Sequence, residues 1–295
     1  MEQRADELME TFAERTGLTS DAEPTRYLWT DAFAVCNFVG LSRETGEHEY
    51  LELAESLVAQ VHETLGRHRA DDPRQGWISG LEGAEAREHP TAGGLRIGKP
   101  RPERGPNEQY DPRREWDRDG QYFHYLTEWI HALDVLARAT GEPDYHRWSR
   151  ELAIAAHDAF VHDRGGGYKK MYWKMSIDLS RPQVVSMGHH DPLDGLVTCA
   201  QLIDTGRYFD EEAHRDELEA ATDDFAQMVQ GRDISTDDPL GLGGLLMDAA
   251  RLVQLGDDAL ASRASVSRRM IEAANGGVGR FVRTGGLRQL ASSRL

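Results

Sequence analysis

Acids and histidines gather at the starts of the segments that read as buried helices. The groups are Asp31; then Glu115, Asp117, Asp119 and His124; then His189, His190, Asp191 and Asp194; then Asp237 and Asp238. Glycoside hydrolysis needs two carboxyl groups across a cavity, one donating a proton to the leaving oxygen and the other acting as base or nucleophile. Asp117 and Asp191 are the candidate pair. A sugar epimerase needs bases on opposite faces of a substrate carbon, and His124 with His190 would supply them near neutral pH. The competing reading is helix capping, because Asp is a preferred cap and is favoured by the helix dipole. Capping is the stronger reading at Asp191-Pro192 and Asp238-Pro239, where Pro would take the first helical position. The WDRDG segment resists it, since its two acids sit beside Trp116 and lead into an aromatic run.

His124, Glu128 and His131 follow at i, i+4 and i+7 and so share one narrow helix face. They read as a hydrogen-bonded polar wall. The spacing is not the His-Glu-x-x-His zinc signature, no Cys accompanies it, and neither a metal nor a cofactor is expected. Upstream, the stretch HPTAGGLRIGKPRPERG collects His89, Arg96, Lys99, Arg101 and Arg104 in an otherwise acidic chain. Two readings stand: a lid holding an anionic group of a ligand, or a solvated loop paired with surface acids. On the lid reading, Arg96 or Lys99 points inward, opposite the aspartates. Trp29, Trp77, Trp116, Tyr122, Tyr172 and Trp173 fall near the same rim and would stack on sugar rings, although Trp29 reads better as core. The substrate-binding candidates are therefore Asp31, Trp77, Arg96, Lys99, Asp119, Tyr122, Glu128, Trp173 and His189.

Helical hairpins must position these residues. Four segments share one plan: an apolar helix, a turn with Gly, then an amphipathic charged helix. They begin at Tyr27, Tyr122, Asp191 and Asp238, with turn glycines Gly46, Gly141, Gly206 and Gly256 expected to end the first helices in the left-handed conformation. TGEHEYLELAESL is echoed by TGEPDYHRWSREL, which marks a repeat. First helices that are apolar nearly all round need burial on both sides, while the second helices keep one wet face. Such pairs stack as an inner and an outer ring, an all-α toroid of one domain over residues 1–295, in which the last hairpin is short. Two long connections, 76–115 and 165–188, fall on one rim, and the second has the β-branched and aromatic patches of a short hairpin. Long connections inside a compact domain are usually functional.

The segments YLWTDAFAVCNFVGLSRETGEHEYLELAESL, GWISGL and WDRDGQYFHYLTEWIHAL resemble the six-hairpin glycosidase-like superfamily over most of residues 20–275. That resemblance implies an (α/α)6 toroid with its active site at the mouth, near unsaturated glucuronyl hydrolases or N-acylglucosamine 2-epimerases. The expected function is then a glycoside hydrolase or sugar epimerase acting on a small, acidic sugar. The alternatives are a non-catalytic toroid that binds a ligand or partner, and an isoprenoid-type cyclase, which would need an apolar cavity.

Composition bounds the rest. With 34 Lys+Arg against 51 Asp+Glu, the net charge of −17 argues against nucleic acid and anionic membrane as partners. No apolar run is long enough to span a bilayer and the N-terminus lacks a signal-peptide core, so a cytoplasmic protein is expected. Cys36 and Cys199 read as buried free thiols. Lysine occurs only at 99, 169, 170 and 174. Acid excess with few lysines suits a high-salt cytoplasm, but GC-rich coding would also replace Lys with Arg. No Gly-x-Ser-x-Gly elbow, dinucleotide-binding glycine pattern or Cys-x-x-Cys pair occurs.

Overall fold

A computed structural model describes residues 4–163, 165–210, 213–255 and 257–288, with side chains except at 257–264. Among these residues the chain is mostly helical. Helix α1 (Ala5–Arg15) precedes a hairpin of α2 (Leu28–Thr45) and α3 (Glu49–Leu65). A long insertion follows with two short helices, α4 (Gly83–Glu88) and α5 (Pro112–Glu115). Strand β1 (Gln121–Tyr122) leads into a second hairpin, α6 (Phe123–Thr140) and α7 (Pro143–Phe160). Strands β2 (Val161–Asp163), β3 (Lys169–Met171), β4 (Lys174–Met175) and β5 (Pro182–Val184) occupy the next connection. The third hairpin is α8 (Asp191–Tyr208) with α9 (Arg215–Val229). The fourth is α10 (Pro239–Gln254) with α11 (Asp257–Arg283).

Hydrophobic patterning explains the layering. The first helix of each hairpin packs on that of the next, giving an inner row α2–α6–α8–α10. Their buried residues, such as Val35, Phe38, Trp129, Leu133, Leu196 and Leu245, form a core with Leu57, Leu152 and Phe225 of the outer helices. Gly46 and Gly141 both end their helices at φ 78°, and their amides donate to Ser42 O (2.9 Å) and Ala137 O (2.8 Å). A residue with a Cβ is strained there. The expectation fails at Gly206, which lies buried inside α8. The turn after α8 instead uses Asp210 (φ 52°) and His214 (φ 61°). Gly256 lies outside the described residues. Gly195 has a different role: a Cβ there would stand 2.7 Å from the Phe225 ring, so its absence lets α9 close on α8.

The connection after α7 forms the antiparallel pair β2–β3 and, with β1 from before α6, the sheet β1–β4–β5. Gln121 pairs with Met175 and Tyr122 with Lys174, which fixes the entry of α6. Gln121 is fully buried. Its amide donates to Gly93 O and Ile177 O and accepts from Leu95 N. The insertion is thus built into the body. Its backbone bonds to the start of α2 (Leu28 N to Ile97 O), the end of α3 (Arg96 N to Leu65 O) and the approach to α6 (Ile97 N to Gly120 O). Arg74 clasps its two limbs to the β4–β5 turn, donating to Asp72, Glu103 and Asp178. No helix among the described residues is long and apolar enough to cross a membrane.

Candidate functional site

The inner helices turn their least apolar strips toward a common groove. On α2 the strip is Trp29, Phe33 and Cys36; on α6 it is His124, Glu128 and His131, all half-buried at the i, i+4, i+7 spacing. Asp191 and Asp194 come from the first turn of α8, and Asp248 with Arg251 from α10. Arg251 joins two helices, donating to Glu128 Oε2 (2.8 Å) and to Asp248 Oδ1 (3.3 Å). Asp194 and Asp248 share a hydrogen bond between carboxyl groups. One of the two must carry a proton for that bond to form.

The electrostatics follow from this crowding. Burial raises the Asp194 carboxyl well above its usual range, and Asp248 and Asp191 add to the effect. Burial also pushes Asp248 up to about 6, opposed by Arg251. Asp191, only 4 % exposed, is pushed up to about 7 by burial. Its Oδ1 lies 3.8 Å from His124 Nδ1, and neither that nitrogen nor Asp191 Oδ2 has a hydrogen-bond partner. Burial holds His124 down at about 4, so its ring is neutral at pH 7. Tyr122 and Trp173 stack beside the ring at 5.3 and 6.3 Å, and Trp29 and Tyr125 meet it edge-on. Behind the groove, His131 Nδ1 meets Gln201 Oε1 (3.0 Å), and Gln201 donates to the fully buried Asp134.

Helix α8 places Asp191 for this position. The cap residue is His190, with no side-chain cap bond, and Asp191 is already helical with Pro192 behind it. Capping therefore does not explain Asp191. It does explain Asp238, whose Oδ2 accepts from Gly241 N (2.8 Å) with Pro239 at the first helical position. Gly188 lies against Asp191, and a Cβ at 188 would stand 2.3 Å from its carboxylate.

Several residues fall elsewhere than expected. Asp119 is fully buried as an internal staple. It accepts from Arg69 (3.3 Å), Arg96 (3.0 Å), Gly98 N (3.0 Å) and Gly120 N (3.1 Å), which leaves its carboxylate no capacity for a ligand. Arg96 also donates to Thr64 O and Arg67 O, and Lys99 Nζ donates to Trp116 O above the Trp116 ring. Arg96 thus points inward onto one of the expected aspartates, Asp119, but Asp119 and backbone carbonyls hold it, and Trp116 O holds Lys99, so neither cation is aimed at Asp191. Asp117 is exposed, and no hydrogen bond or ion pair joins it to Asp191. Asp31 accepts from Tyr27 N (2.9 Å) within the first turn of α2 and lies 3.8 Å from Arg26, a structural contact. Trp77 is buried under Arg67. His189 and His190 contact Ser235 O and Ile234 O, stapling the segment before α10 to the start of α8. Of the expected residues, His124, Asp191, Glu128, Tyr122 and Trp173 do come together.

Asp248 and Arg251 were missed. Their signal is an acid and a base three residues apart on a helix otherwise rich in Leu and Gly. Among the described residues no group of three or more His, Cys, Asp or Glu is arranged to hold a metal ion. Compared with protein families, curated proteins and solved structures, the chain matches none.

Proposed function

We propose that the chain is a carbohydrate-active enzyme, a glycoside hydrolase or sugar epimerase, working by proton transfer in the groove between α2, α6, α8 and α10. The carrying observation is Asp191, a buried carboxyl with a free oxygen that titrates near neutral pH beside a neutral His124. A group with that affinity for protons both gives and takes one at physiological pH. The Asp194–Asp248 pair one turn deeper supplies the second carboxyl that hydrolysis requires. The partly exposed Trp29 and Trp173 supply aromatic faces for a sugar ring, with Tyr122 packed behind them, and the polar walls disfavour isoprenoid chemistry. On this reading the four hairpins are an arc of an α/α toroid and the groove is its axial cavity.

The test is turnover across nitrophenyl glycosides, unsaturated uronides and free hexosamines. Asp191→Asn should lower activity by about a hundredfold or more with unchanged circular dichroism. Unchanged turnover would remove Asp191 from the mechanism, and absence of turnover on every sugar would remove the carbohydrate reading.

A further inference from the structure

We propose that the groove selects a ligand carrying a protonated amine, which makes the substrate an amino sugar; the sugar part rests on the carbohydrate reading above. Four carboxyl groups, those of Glu128, Asp191, Asp194 and Asp248, converge on the groove against two guanidinium groups, Arg251 and, without an ion pair, Arg232 near Asp191. Arg251 is bound to two of the four. The cations that a uronate would need, Arg96 and Lys99, are engaged in the insertion. A carboxylate ligand would therefore enter a site already crowded with its own charge.

A cluster of acids alone could be structural, but Asp191 adds an independent observation. Its Oδ2 is buried and has no partner, in a side chain that also borders Asp194. Leaving a buried polar atom unpaired costs about 1–3 kcal/mol, which an arriving donor would recover. His124 Nδ1, 3.8 Å from the same carboxyl, is unpaired as well. The groove admits solvent at this end, where the His124 side chain is 26 % exposed. Trp29 and Trp173, both partly exposed, flank it with aromatic rings that favour a cation.

Protons now hold the place a cation would take. The groups that face Asp191 and Asp194 are His124 and Glu128 from α6, Asp248 from α10 and Arg232 from the segment before α10; Arg251 and Cys36 lie beside Glu128. With so little positive charge among them, the acids stay partly protonated. An ammonium group replaces a proton: one carboxyl proton leaves for the buffer, and the ammonium pairs with the carboxylate formed. Binding should therefore release protons and strengthen as pH rises.

Calorimetry in buffers of differing ionisation enthalpy tests this with glucosamine, N-acetylglucosamine, glucuronate and ethanolamine. Glucosamine should bind at least about tenfold more tightly than N-acetylglucosamine or glucuronate, with proton release, and about tenfold more tightly at pH 7 than at pH 5. Asp194→Asn should reduce the proton release, and the exposed Glu85→Gln should not. Ethanolamine binding with proton release while no sugar binds would keep the charge inference and remove the carbohydrate reading. Glucuronate or N-acetylglucosamine binding as tightly as glucosamine would overturn the inference and leave the carbohydrate reading intact. Failure of both amines to bind would also overturn it.

Discussion

At the scale of single residues, burial displaces the proton affinity of the groove's side chains, and that displacement acts on stability. Asp191 has an ordinary carboxylate pKa unfolded and is pushed up to about 7 folded. Its contribution is therefore fully present below the unfolded value and is lost as pH rises toward 7. His62 and His131, held down at about 3, and His124, at about 4, act the other way. Their contribution is present above the unfolded histidine value and is lost as pH falls. The difference between Asp191→Asn and the parent isolates the carboxyl. The variant should be more stable at pH 7, by an amount on the order of 2–4 kcal/mol, with the advantage shrinking toward pH 4; denaturant unfolding at several pH values measures it. His124 and Glu128 were legible because their spacing marks one face of a helix. Asp191 could be told from a cap only by backbone geometry, which makes His190 the cap residue. Asp119 was misread because nothing in WDRDG shows that two arginines, Arg69 and Arg96, arrive from tens of residues away.

At the scale of elements, the α8–α9 contact depends on Gly195. Gly195→Ala would drive a methyl against the Phe225 ring, where the nearest carbon is 2.7 Å from an ideal Cβ. Because α8 also carries Asp191 and Asp194, relief by shifting that helix would move the groove. We expect a loss of about 1–3 kcal/mol, read as a thermal midpoint a few degrees lower, with partial recovery in Gly195→Ala/Phe225→Leu. No recovery would mean that the clash is relieved elsewhere. The hairpins were legible because turn and amphipathic patterns are local: Gly46 and Gly141 end α2 and α6 as the echoed TGE segments require. Gly206 was not, because a glycine in a helix and a glycine ending one look alike in sequence. Here the left-handed positions pass to Asp210 and His214, which tolerate them less readily than glycine.

At the scale of the whole molecule, charge and the insertion decide behaviour. A net charge of −17 repels itself in the folded state, and the acids are spread along the chain. The thermal midpoint should rise between low salt and about 0.5 M NaCl as screening shortens the reach of that repulsion. A falling midpoint would mean that ion pairs such as the Arg74 clasp outweigh it. The order of the hairpins could be read from repetition, but the docking of residues 66–120 could not, since its contacts are long-range and its backbone is largely irregular. Asp119 carries that docking, binding two arginines of the insertion and the amides of Gly98 and Gly120. The consequence shows in how the chain meets a protease. The insertion is rich in trypsin sites; Arg87 and Arg114 are exposed, whereas Arg69, Arg96 and Arg104 have their guanidinium groups bonded inside the fold. Trypsin needs such a side chain free and the backbone beside it extended, so cleavage after Arg69, Arg96 and Arg104 should be slow in the native protein and fast in Asp119→Asn, while cleavage after Arg87 and Arg114 serves as the reference in both.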